Sequence, residues 1–124
     1  MTTRPVLANT GAMSQFIGAF EVTSKLSAQA FQIRFSHMWS GIATRHSDTI
    51  DFKFFVDGGA HVVGLAHTAF VKFRDKRARD LTDREASFVA AEYLRERLEE
   101  DDLRALYDVP ESEVLRLMQQ VGIK

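Results

Sequence analysis

The stretch Ile50–His67, IDFKFFVDGGAHVVGLAH, constrains the fold more than any other part of the chain. Two apolar runs flank Asp57-Gly58-Gly59, and a helical pattern starts directly afterwards. Strand-forming residues on both sides of a glycine turn predict an antiparallel hairpin. With Gly58-Gly59 as the two turn residues, Val56 stands opposite His61, Phe54 opposite Val63 and Phe52 opposite Leu65. That register gathers the larger apolar side chains on one side, which then needs a cover, while Phe55 and Val62 fall on the other.

The neighbouring segments supply strands and cover. Over Ala30–Trp39 the side chains alternate, with Phe31, Ile33, Phe35, His37 and Trp39 on one face and Gln32, Arg34 and Ser36 on the other, the mark of a half-buried strand. Over Phe16–Leu26 two patterns compete: Phe16, Ile17 and Phe20 have helical spacing, while Phe20, Val22 and Ser24 alternate and favour a strand over about Gly18–Ser24; the polar stretch Ser40–Thr49 reads as a loop. A helix is predicted from His67 to about Arg77, with Phe70 and Phe73 inward. Thr82-Asp83-Arg84-Glu85 has the form of a capping box and opens the strongest helix, to about Glu100. Its apolar stripe is Ala86, Val89, Ala90, Ala91, Tyr93, Leu94 and Leu98. A short helix over Asp101–Tyr107 and a last one opened by Pro110 and stopped near Gly122 complete the pattern. The predicted fold is α+β: an antiparallel sheet of three or four strands from the N-terminal half, packed by three or four C-terminal helices. Residues 1–14, small and polar, read as a flexible N-terminal arm, and residues 15–124 as a single domain.

Composition narrows the classes of function. Sixteen basic residues against 17 acidic give a net charge of -1, which excludes a wholesale basic protein of the ribosomal or histone kind. The chain has no cysteine, which removes disulfides, thiol catalysis and thiolate metal sites. Ten phenylalanines supply an apolar excess that fills a core and favours self-association. No apolar run approaches the ~20 residues needed to span a bilayer. The opening MTTRPVLANTGAMS lacks the apolar core of a signal peptide, so a soluble, cytoplasmic protein without a membrane partner is expected.

No catalytic, cofactor or metal site is predicted. His61 and His67 share a strand face but stand about 20 Å apart along it, too far to ligate one ion. The acids Glu96, Glu99, Glu100, Asp101 and Asp102 lie among Arg95, Arg97 and Arg104, the pattern of a solvated, ion-paired surface. Gly58-Gly59 joins two strands, whereas phosphate-binding glycines lead from a strand into a helix. The basic run Val71–Asp80 sets Lys72, Arg74, Lys76, Arg77 and Arg79 against Asp75 and Asp80. On a continuous helix Lys72, Lys76 and Arg79 line one edge, a stripe suited to phosphates or an acidic partner; cations near a helix C-terminus also offset its dipole. Phe88 falls away from the apolar stripe, either as a contact for a partner or subunit or as a residue packed under the N-terminal arm.

Residues 102–118, DLRALYDVPESEVLRLM, resemble a helix-turn-helix DNA-binding unit, with Leu103, Leu106, Tyr107, Val109, Val114 and Leu117 at its apolar positions. Leu81-Thr-Asp-Arg-Glu85 is similar to the entry of response-regulator-type DNA-binding domains. The resemblance implies a transcriptional regulator using Ser112 and Arg116 as base or phosphate contacts. Glu99–Lys124 carries three basic residues against seven acidic, a balance that opposes phosphate binding and favours a packed helical hairpin. The leading expectation is therefore a small non-enzymatic protein-interaction or adaptor module, with a protein partner or a second copy in a homodimer. Lys72, Lys76, Arg79 and Phe88 are its candidate contacts. A third class is a small-molecule binder or enzyme, with a phenylalanine-lined pocket and His37 or His61 at its mouth.

Overall fold

A computed structural model describes residues 16–124; the arm expected over 1–14 lies outside the described residues. The chain runs β1 (Phe20–Thr23), β2 (Ala30–Ser40), α1 (Gly41–Arg45), β3 (Thr49–Val56), β4 (Gly59–Ala66), α2 (His67–Arg77), α3 (Asp83–Glu99), β5 (Leu106–Val109) and α4 (Glu111–Gln120). The strands form one sheet in the order β1-β2-β3-β4-β5. Neighbours from β1 to β4 are antiparallel, and β5 joins the far edge parallel to β4. The fold is α+β, and its five-stranded mixed sheet replaces the expected antiparallel one.

The β3–β4 hairpin forms, with a register two residues from the expected one. Val56 stands opposite Gly59, Phe54 opposite His61, Phe52 opposite Val63 and Ile50 opposite Leu65. The turn residues are Asp57 (φ 50°) and Gly58 (φ 88°), and Gly59 begins β4. A tight hairpin turn of this hand needs positive φ at both central residues, which Asp-Gly supplies. A slip of two leaves every side chain on its original face. Phe52, Phe54, Val63 and Leu65 are accordingly fully buried.

On β2 the alternation breaks. A bulge between Phe35 and His37 adds one residue, so Met38 comes opposite Phe52, His37 opposite Lys53 and Trp39 opposite Asp51. Met38 thus joins the covered face, and His37 and Trp39, expected beside Phe31 and Ile33, turn to the other. The segment expected to be a loop holds α1, which Ser40 caps by accepting from the Ile42 amide.

Helices α2, α3 and α4 lie on the covered face, while α1 sits at one end of the other. Thr82 and Glu85 form the capping box in full, and Ala86, Val89, Ala90, Ala91, Leu94 and Leu98 of α3 are buried. The alanines let α3 approach the sheet closely, and Val114, Leu117 and Met118 of α4 complete the core. The helix expected over Asp101–Tyr107 is instead a turn at Asp101 (φ 59°) followed by β5. Tyr107 and Val109 point into the core while Leu106 and Asp108 point out, and the Val62 amide donates to the Ala105 carbonyl at 2.9 Å. The Tyr107 hydroxyl donates to the Asp102 carbonyl (2.7 Å) and accepts from the Arg104 amide (2.8 Å), which pins the loop entering β5. Residues 102–118 are therefore a strand and a helix, without the first helix of a helix-turn-helix.

Candidate functional site

The free edge of β2 and the cleft beside it form the candidate site. β1 pairs only with residues 30–33 of β2. Upstream of Phe20 the chain crosses onto the helical layer: the Ile17 amide donates to Ser87 Oγ of α3 (3.2 Å), and the Phe16 ring lies 4.9 Å from Phe35. Among the described residues, no strand covers Arg34–Ser40 on that side. The Asp57 amide donates to the Gln32 carbonyl (2.9 Å), so Gln32 faces β3. Strand alternation then turns the backbone of Arg34, His37 and Trp39 towards β3 and that of Met38 outward. The bulge confines a continuous outer ladder to His37–Ser40.

Met38 also lines the cleft, a space of about 430 Å³ where α2 and the start of α3 diverge over the sheet end. Ile50, Phe70, Val71 and Leu81 make its apolar wall, and Arg74, His67, Asp80 and Asp83 its polar rim. The His67 ring stacks on Phe70 at 6.2 Å, with Nδ1 3.9 Å from an Asp48 oxygen. Arg74 has no ion pair among the described residues. The half-exposure of Met38, Ile50 and Phe70 marks a part of the covered face that the helices do not reach.

The residues singled out from the sequence do not assemble into one surface. Helix α2 ends at Arg77 and Ala78 takes a left-handed conformation, so Arg79 leaves the line of Lys72 and Lys76. Arg79 makes a two-pronged pair with Glu85 (2.9 Å each), lies 4.9 Å over the Phe73 ring and donates to the Lys124 carbonyl. Lys72 pairs with Glu111 at 2.5 Å. Lys76 stays without an ion pair among the described residues, beside a groove of about 240 Å³ between α2 and α4. Phe88 is half-buried with the Arg84 guanidinium 5.0 Å over its ring. Ser112 is exposed near the start of α4, but Arg116 is held by Glu96, Glu113 and Gln120. Arg97, Arg104 and Lys25 likewise pair with acids of the 96–102 run.

The histidines scatter. His37 is on the uncovered face, and neither it nor His61 lines the cleft. His61 Nδ1 lies 2.5 Å from the Arg104 carbonyl; because a carbonyl only accepts, Nδ1 carries the proton there. Among the described residues no three histidine or carboxylate side chains converge to hold a metal, and no helix is long and apolar enough to cross a membrane.

A buried polar cluster went unforeseen. Asp51 of β3 is 1% exposed. Its carboxylate accepts from Arg45 Nε (2.8 Å), Arg45 Nη2 (2.9 Å) and the Thr49 hydroxyl (2.7 Å). Arg45 also donates to Asp108 of β5 at 2.7 Å. Burial pushes the Asp51 carboxyl up, but the hydrogen bonds from Arg45 and Thr49 outweigh it and hold it below the ordinary range. Glycine leaves room on both sides: a Cβ at Gly41 would collide with Thr49 Oγ1, and one at Gly64 would meet Asp51 Oδ1 at 2.6 Å as well as the Arg45 guanidinium. The cluster clamps α1 across β3, β4 and β5. The spacing Arg45…Thr49-x-Asp51 was visible in the sequence, but nothing local tells a clamp from a surface pair.

No protein-family model, curated protein or solved structure matches the chain. The functional reading therefore rests on geometry.

Proposed function

We propose that this protein is a small interaction module that takes an extended peptide segment along the outer edge of β2. The partner strand pairs with His37–Ser40 and lowers one apolar side chain into the cleft bounded by Met38, Ile50, Phe70 and Leu81. In this mode main-chain hydrogen bonds supply affinity and the side-chain pocket supplies selectivity. The observation that carries the reading is the double role of Met38, whose backbone belongs to the open edge and whose side chain belongs to the cleft. A ladder this short gives few hydrogen bonds, so the cleft provides much of the recognition.

A random heptapeptide display library, panned on the full chain, tests this. The enriched peptides should share an apolar residue at a fixed position. Met38→Pro, which removes the outward N–H, should weaken the best of them about tenfold or more. Met38→Leu should change affinity little. No enrichment, or equal binding to the proline variant, sinks the reading.

A further inference from the structure

We infer that the uncovered face of the sheet binds single-stranded nucleic acid, with Arg34 and Lys53 taking phosphates and the His37–Trp39 ring pair stacking against bases. This surface lies opposite the helical layer that carries Ser112 and Arg116, and it does not involve the cleft.

The face is set by register. Arg34 stands opposite Phe55, His37 opposite Lys53, Trp39 opposite Asp51, and Lys53 opposite Val62. The Arg34 guanidinium lies 4.5 Å from the centre of the Phe55 ring and the Lys53 ammonium 5.1 Å from it. The aromatic platform thus holds both cations over the sheet. Neither has an ion pair among the described residues, whereas Lys25, Lys72, Arg45, Arg79, Arg95, Arg97, Arg104 and Arg116 all do. The acids nearest the middle of the face, Asp51 and Asp108, are both bound by Arg45. Glu21 and Asp57 lie towards the β3–β4 turn and are occupied by the Gln32 side chain and amide, at 2.9 Å each. Arg34 and Lys53 therefore present their charges without a direct ion pair, on a face whose three cations (Arg34, Arg45, Lys53) are set against four acids (Glu21, Asp51, Asp57, Asp108).

The rings favour nucleic acid over other anions. His37 and Trp39 lie 4.9 Å apart at 37°, brought to this face by the Ser36 bulge. Trp39 Nε1 donates to Thr44 Oγ1 at 2.9 Å, and Ser36 Oγ bonds His37 Nδ1 at 2.8 Å, so both rings are oriented before any ligand arrives. Cations beside aromatic side chains are the combination that sequence-tolerant single-strand binding uses. An acidic protein segment would engage the cations without needing the rings. A second copy laid face to face would bring Arg34 and Lys53 against their own kind.

Trp39 is the chain's single tryptophan and reports directly on the face. Titration with fluorescein-labelled oligothymidine at low salt should quench Trp39 and raise the label's anisotropy. Two phosphate contacts on a single strand give a log–log salt slope of about -1.4. The Arg34→Glu/Lys53→Glu variant, checked for an unchanged circular dichroism spectrum, should lose binding at least about tenfold. Lys76→Glu on the helical layer should bind normally. The inference is overturned by the absence of any anisotropy change at low salt. It is equally overturned if polyglutamate quenches Trp39 as strongly as the oligonucleotide, or if Trp39 responds to protein concentration alone.

Discussion

Phe52 and Phe55 share strand β3 and point to opposite sides of the sheet. Phe52 is fully buried in the core, while Phe55 is half-exposed with Arg34 and Lys53 resting on its ring. One side of the sheet spends its phenylalanines on cohesion. The other uses one to hold charge at a surface, apart from the end where α1 is clamped down. The chain's many phenylalanines therefore do not all testify to a core, and the open face is where function is least constrained by stability.

The largest effect should come from cutting that contrast directly. Phe52→Ala removes a fully buried ring and should destabilise the protein by about 3–5 kcal/mol, whereas Phe55→Ala should cost less than about 1 kcal/mol in urea unfolding. Comparable losses from the two would mean that both faces are covered in solution.

The clamp on the open face is the exception that sharpens the contrast. Arg45→Met leaves the Asp51 carboxylate buried without its partner, and about 3 kcal/mol should be lost, the low end for a broken buried pair because Arg45 keeps contact with water. Circular dichroism against urea measures it, and Arg45→Met/Asp51→Leu should recover part of the loss. A variant as stable as the parent would show that α1 is not needed to close that end of the sheet.

The smallest effect concerns the helix that covers the other face. Thr82→Ala should cost about 1 kcal/mol by removing the N-cap of α3. Its capping partner Glu85 is held at a pKa of about 2, chiefly by the Arg79 guanidinium and further by Thr82, against the opposing effect of burial. A carboxylate depressed on folding stabilises fully above its unfolded value near 4.5, and that contribution fades as pH falls towards about 2. Stability of Glu85→Gln should therefore vary less with pH across this window than that of the parent. Parallel curves for the two proteins would remove the assignment.

Local signals carried most of the fold. The hairpin between apolar runs, the Thr82–Glu85 box and the α3 stripe are each written within a few neighbouring residues, and each forms, although the turn falls at Asp57-Gly58 rather than at the expected Gly58-Gly59. What went unread depends on distant partners. The bulge at Ser36 is a single inserted residue in an otherwise regular alternation, and it moves His37, Met38 and Trp39 to new faces. Leu106-Tyr-Asp-Val alternates like a strand, yet Leu103, Leu106 and Tyr107 also fit a helix. The choice is made by the β4 edge, which only the assembled sheet presents. The candidate site was illegible for the same reason. An open edge is defined by where β1 stops, and the expected Lys72, Lys76 and Arg79 stripe dissolves because the left-handed Ala78 turns the chain before Arg79 is reached.

The parallel pairing of β5 with β4 has a consequence for biosynthesis. The four-stranded meander can assemble as soon as residue 66 is free of the ribosome, but Val62–Leu65 then present a bare border until residues 106–109 follow. For the length of that wait the nascent chain offers a sticky strand to its neighbours, and truncation before Leu106 makes the exposure permanent. Shortened forms should accumulate as inclusion bodies even though every element before α3 is intact.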